Sequence, residues 1–266
     1  MNRISSITLL CSTLVGATAV ATVGLESDQL ILRESFDAAM YDAGRLDQQA
    51  PEVTGFDTER GWYVQNFDAR IVPDDGLEYE GLPSQPGCLR LTTRNRQFAQ
   101  TGRLMSAELP ADADQLFISY LVRLDDSQRG IIAMNVGRED EVKGPLDFGL
   151  SDGQPLLRYQ TTGDPESASA SETAVAVGET ALLVLRVDID PADGDDDTIR
   201  FFVNPESDSE PADDDAVIEV TGRIWHESSE FGSLQLRRQK SVDGELTRTV
   251  VDELRIASTY AGLFAE

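Results

Sequence analysis

The chain has 266 residues, with 48 acidic side chains against 22 basic ones and a formal net charge of −26. Such a field repels nucleic acid and anionic lipid surfaces, which excludes both as partners. Two cysteines and a single histidine also exclude a disulfide scaffold and the usual zinc ligand sets.

The chain opens on Met1-Asn2-Arg3, followed by an apolar run from Ile4 to Gly16. Two small-x-small triplets follow, Ala17-Thr18-Ala19 and Ala19-Val20-Ala21. This pattern predicts a secretory signal peptide over 1–21. The run is too short and too rich in Ser and Thr for a lasting membrane span. Leu10 before Cys11 does not suit lipidation, and the C-terminal residues carry no hydrophobic tail. The expectation is a soluble protein, secreted or periplasmic, without membrane insertion after cleavage. An extension over 22–32 and one domain over 33–266 complete the predicted organisation. Cys88 is then the only thiol, and its place in Cys88-Leu89-Arg90-Leu91 predicts a buried, inert group. Lys143 and Lys240 are the only lysines, a balance that suits a saline setting where salt screens self-repulsion.

Period-two alternation recurs along the rest of the chain. Leu89 and Leu91 share one strand face. Leu116–Leu124 is long and apolar, as in a strand covered on both sides. Ile131–Val136 follows a polar turn. Asp147–Leu150 and Leu156–Tyr159 flank Ser151-Asp152-Gly153-Gln154, a hairpin signal because Asp-Gly tolerates positive φ. Ala181–Ile189 and Thr198–Val203 bracket an acidic connection. Leu234–Arg237 and Val250–Ile256 close the set, and Ser258–Phe264 fits one short terminal turn. No stretch keeps a helical stripe. Strands without intervening helices predict an all-β fold, two antiparallel sheets packed face to face in a single domain.

The order of these segments resembles the concanavalin A-like (laminin G-like) jelly-roll domains of secreted bacterial proteins. The matching pieces are Glu34-Ser35-Phe36-Asp37, Gly76–Leu82, Phe117–Leu124, Leu183–Asp188, Asp193–Asp197 leading to Arg200–Pro205, and Val251–Ala257. The resemblance implies a two-sheet antiparallel jelly-roll sandwich, a concave sheet that offers a groove for polysaccharide, and rim loops that hold calcium.

Two candidate sites follow. Asp188, Asp190, Asp193, Asp195, Asp196 and Asp197 place six carboxylates within ten residues. Calcium takes six to eight oxygen ligands, and such a loop can supply several. The spacing departs from an EF-hand, so the ligand set expected is Asp188, Asp190, Asp193, Asp195 and Asp197, against the alternative of a solvated acidic loop. The second site is a sugar platform of Trp62, Tyr63, Tyr159 and Trp225, because sugar C–H faces stack on aromatic rings. The alternative for each of these is core packing.

Catalytic motifs are sparse. The Glu-x-Asp-x-x-Glu strand of retaining glucanases, whose paired carboxylates flank one bond, does not occur. Asp252 and Glu253 are adjacent, so strand alternation points them apart. Gly149-Leu150-Ser151-Asp152-Gly153 matches Gly-x-Ser-x-Gly, but a nucleophile elbow requires a following helix, and the next residues read as a strand. The resulting expectation is a non-enzymatic exported module that binds an extracellular glycan or a surface protein, with calcium as its only candidate cofactor. A structural envelope or matrix protein ranks second, and a polysaccharide-degrading glycosidase third.

Overall fold

A computed structural model describes residues 30–65, 68–73, 75–83, 85–93, 99–106, 113–125, 131–137, 146–160, 165–170, 172–189, 197–222, 233–239 and 247–265. In chain order the strands are β1 (Leu30–Glu34), β2 (Gly44–Arg45), β3 (Tyr63–Gln65), β4 (Asp68–Val72), β5 (Cys88–Thr93), β6 (Ala99–Leu104), β7 (Gln115–Leu124) and β8 (Ile131–Gly137). They continue as β9 (Leu146–Ser151), β10 (Gln154–Gln160), β11 (Pro165–Ser169), β12 (Thr180–Asp188), β13 (Asp197–Val203), β14 (Ile218–Gly222), β15 (Ser233–Gln239) and β16 (Thr247–Ala257). Among the described residues the only helical pieces are 3-10 turns at Asp213–Asp215 and Ala261–Phe264. None of them is long and apolar enough to cross a membrane.

The strands form two antiparallel sheets. The nine-stranded one runs β14-β13-β12-β7-β16-β5-β4-β2, with β1 also on β16. The seven-stranded one runs β11-β10-β9-β8-β15-β6-β3. Both inner faces contribute to one apolar core. Leu116, Ile118, Tyr120, Leu183, Leu185, Ile199 and Phe201 of the first sheet meet Leu146, Phe148, Leu157, Leu234 and Leu236 of the second. This is the expected two-sheet jelly-roll sandwich.

The two sheets differ in what lies outside them. The long apolar strand over Leu116–Leu124 has almost every residue buried because its second face is covered as well. Phe117, Leu121, Leu182, Val184, Phe202 and Val250 pack beneath Leu77, Leu82, Tyr260 and Leu263. The segment 75–83 and the terminal turn therefore seal the outer face of the nine-stranded sheet. Tyr63, Gln100, Asp147, Arg158, Gln235 and Arg237 lie on the outer face of the seven-stranded sheet.

Local signals explain several joints. Asp152 and Gly153 have φ of 52° and 81°, so the Asp-Gly pair makes the tight β9–β10 turn with Gln154 opposite Ser151. A strand follows Ser151, as the sequence indicates, so no nucleophile elbow forms. Strand β1 begins at Leu30 and pairs with β16, which places the end of the predicted extension inside the sandwich. In β16 the register shifts between Asp252 and Arg255, and Glu253 adopts φ of 45°. This bulge lets two adjacent acids both be buried, where regular alternation would put them on opposite faces. Asp252 accepts from the Leu77 amide at 3.1 Å, while Glu253 accepts from Arg255 Nε at 2.8 Å. Cys88 is buried and free, and burial pushes its thiol up to about 12, which leaves it unreactive.

Candidate active site on the outer face of the seven-stranded sheet

Alternation along β15 sets Leu234 and Leu236 into the core and Gln235 and Arg237 on the other side. Register carries that polar side across the sheet. Tyr63 lies opposite Gly102 and Gly102 opposite Gln235. Gln235 pairs in turn with Asn135, Asn135 with Asp147, Asp147 with Arg158, and Arg158 with Ser167. One row thus crosses all seven strands, and Gln65, Gln100 and Arg237 stand in the row beside it.

Arg237 is held from two sides. Its Nη1 donates to Asp147 Oδ1 and Oδ2 at 3.2 and 3.3 Å, and its Nη2 and Nε donate to Gln235 Oε1 at 2.9 and 3.2 Å. Tyr63 is close enough to feel this guanidinium. Burial pushes its phenol above the ordinary value, and the positive charge of Arg237 pulls the other way. Gly102 is what brings Tyr63 and Gln235 together: a Cβ there would come within 2.9 Å of both Tyr63 Cε1 and Gln235 Cγ. Gln100 Nε2 donates to Gln65 Oε1 at 2.9 Å, a second amide pair on the same face.

The four-ring sugar platform is not assembled. Trp62 is fully buried against Phe36 and Phe56, and its indole N–H is spent on Tyr41. It packs the core because a large ring at the edge of the sandwich fills volume there more effectively than it covers a surface. Tyr159 shares the core side of β10 with Leu157 and donates to Glu166 Oε2 at 3.0 Å. Trp225, with the only histidine His226, lies outside the described residues. Of the three members that the structure describes, Tyr63 is the one placed on the outer face. Gln235, Arg237, Asp147 and Arg158 were not singled out from sequence as functional, although the alternation Leu234-Gln235-Leu236-Arg237 already assigns two of them to a common face.

The expected calcium ligands do not converge where the structure describes them. Asp190, Asp193 and Asp195 lie outside the described residues. Asp188 shares a face with Arg186 and Arg200 and is bonded to both and to Gln115. Asp197 is buried on the opposite face, in line with Ile199 and Phe201. These two carboxylates do not fit a shared cation. Among the described residues no group of three or more His, Cys, Asp or Glu side chains could hold a metal ion. A polar cleft of about 120 Å³ beside β3, lined by Arg45, Asp47, Val64, Asp68 and Ala69, is too small for a polymer.

No protein-family model and no curated protein matches the chain. Solved structures do. The chain is similar to an endo-β-1,4-glucuronan lyase from the fungus Trichoderma reesei, at 11% identity and a TM-score of 0.52 over 83% of this chain and 95% of that one. It is also similar to the globular domain of T. cruzi calreticulin, at 11% identity and a TM-score of 0.52 over 86% and 88% of the two chains. A PL-14 alginate lyase from Aplysia kurodai aligns at 11% identity and a TM-score of 0.47 over 83% of this chain and 99% of that one. What is shared at this identity is the fold.

The expectation of a non-catalytic, non-enzymatic module is corrected by this finding. A lyase is built on the same two-sheet sandwich. Paired carboxylates are a requirement of glycoside hydrolysis and not of elimination.

Proposed function

We propose that the protein is an exported polysaccharide lyase that cleaves a uronate-containing polymer by β-elimination. The observation that carries this reading is the gathering of Tyr63, Gln235 and Arg237 on one sheet face, with Asp147 as the only carboxylate among the described strand residues of that face. Glycosidases need two carboxyl groups flanking the bond. Elimination needs other groups: donors that neutralise the C6 carboxylate, a base for the C5 proton and an acid for the leaving O4.

Arg237 and Gln235 supply N–H donors for the carboxylate and stabilise the charge that develops on it as the C5 proton departs. Tyr63, as phenolate, takes the C5 proton. The C–H electron pair forms the C4=C5 double bond, the C4–O4 bond breaks, and the Tyr63 phenol returns the proton to O4. Atoms and electrons balance without a co-reactant. Because burial raises the Tyr63 phenol, the phenolate fraction grows with pH, and the rate rises through the alkaline range.

The predicted leader peptide supports export. The order of the strand motifs supports a place among concanavalin A-like sandwiches. Calcium has no step in this chemistry.

The test is incubation with polyglucuronate and with alginate, followed through the ultraviolet absorbance of the unsaturated uronate. Wild-type protein generates that chromophore, and Tyr63→Phe lowers the rate by about 10²–10⁴-fold, the usual contribution of one proton-transfer group. New reducing ends without unsaturation, or no cleavage of either polymer, would refute the reading.

A further inference from the structure

We propose that the buried chain Glu34–Tyr41–Trp62 is a positioning network for Tyr63, an inference that rests on the lyase reading above. Glu34 Oε1 accepts from the Phe36 amide at 2.8 Å, and its Oε2 accepts from the Tyr41 hydroxyl. That hydroxyl accepts in turn from Trp62 Nε1 at 2.9 Å. All three side chains are buried. The Trp62 backbone is fixed at both ends: its N–H donates to the Gln49 carbonyl at 2.9 Å, and its own carbonyl accepts from the Gln48 amide at 2.8 Å. Phe36 and Phe56 flank the indole at centroid distances of 5.5 and 5.7 Å. The next residue is Tyr63.

The site needs such an anchor because β3 is only three residues long and pairs only with β6 among the described strands. Three register pairs at the edge of a sheet hold a strand weakly. Successive residues in extended chain point to opposite sides, so Trp62 enters the core while Tyr63 faces outward. Any roll of β3 that shifts the indole swings the phenol the opposite way. Fixing the indole to Tyr41 and Glu34 therefore fixes the aim of Tyr63, and a displacement of about 1 Å in a reacting group can cost 10²-fold in rate. Tyr41 touches no substrate and acts through Trp62.

The experiment compares Tyr41→Phe and Glu34→Gln with wild type by kcat, KM and NMR of ring-labelled tyrosine, with Tyr63→Phe identifying the Tyr63 resonance. Tyr41→Phe keeps the ring that packs on Phe36 and removes only the hydroxyl. The expected result is native circular dichroism, a kcat lower by about 10²-fold with KM unchanged, and a displaced Tyr63 resonance. Glu34→Gln, which keeps an acceptor for the Tyr41 hydroxyl, lies between the two. A variant that melts earlier yet keeps wild-type kcat and the wild-type Tyr63 resonance would overturn the network. If wild type makes no unsaturated product, the lyase reading fails, and the Tyr63 resonance alone then decides the positioning role. If Tyr41→Phe does not fold, Glu34→Gln is read in the same way.

Discussion

Asp147 places both carboxylate oxygens against one nitrogen of Arg237, at 3.2 and 3.3 Å. The pair is largely withdrawn from water, with side-chain exposures of 14% and 11%. On the lyase reading, the cation that faces a substrate carboxylate is already partly compensated, and an incoming uronate has to compete with Asp147. Asp147→Asn removes that compensation from the guanidinium. Uronate binding should tighten, seen as a lower KM. The phenol of Tyr63 should also fall toward its ordinary value, since Arg237 already opposes the effect of burial there. The alkaline rise of kcat/KM should move to lower pH. A pH–rate profile superimposable on wild type would show that Asp147 does not tune the site.

The net charge of −26 sets a second expectation. On the lyase reading a polyuronate is repelled by the protein as a whole, and among the described strand residues of the outer face the cations that attract it are Arg237 and Arg158. Raising salt from about 0.01 to 0.15 M shortens the screening length from about 30 to 8 Å. That weakens the long-range repulsion more than it weakens contacts at the site. The value of kcat/KM on polymer should rise over this interval, opposite to the behaviour of a basic polyanion binder. The backbone of Arg158 lies three strands from that of Arg237, about 14 Å at the usual strand spacing. Arg158→Ala should therefore raise KM for long chains and leave the shortest cleavable oligomers unaffected. Equal effects on both lengths would remove Arg158 from the binding track.

The fold was legible because alternation is a local signal. Leu234 and Leu236 against Gln235 and Arg237, or Asp152-Gly153 between two strands, need no partner to be read. The site was less legible because it is assembled by strand order. Tyr63, Gln235 and Asp147 become neighbours only once β3, β6, β15, β8 and β9 lie side by side. Tyr63 was singled out as a ring for stacking, and its place beside Arg237 and Gln235 was not read. For Trp62 the core alternative holds, and the sequence could not decide it because its neighbours in space, Tyr41 and Phe36, come from a loop with no periodicity. The bulge at Glu253 was hidden for the same reason: a left-handed residue inside a strand leaves no pattern when it is not glycine.

Asp188 tests the calcium expectation directly. Its carboxylate bonds to Arg186, Arg200 and Gln115, and Arg186 and Arg200 also reach Asp213, with Glu210 and Glu219 beyond. The network joins β12 and β13 to the segment that follows β13. Asp188→Asn should destabilise the fold by about 1–3 kcal/mol, the cost of leaving charged donors short of an acceptor. The loss should be the same in millimolar calcium and in chelator. A loss present with calcium and abolished by chelator would make Asp188 a metal ligand, because a ligand bound only to the folded state stabilises it by mass action.

Glu34 makes stability depend on pH in a defined direction. Burial is the main cause that lifts its carboxyl from 4.5 to about 7, against the lowering effects of Tyr41, the Phe36 amide and Arg103, while Glu253 adds to the rise. Asp252 is raised as well, first by burial and then by Glu253. Between pH 4.5 and about 7 the folded state keeps a proton on Glu34 that the unfolded chain has lost. Stability therefore falls as pH rises through this window, by about 3 kcal/mol for Glu34 alone. For a domain of this size that corresponds to about 10 °C in melting temperature. Glu34→Gln cannot ionise, so its melting temperature should flatten across the same window and exceed that of wild type above pH 7. Parallel curves for the two proteins would mean that another group carries the slope.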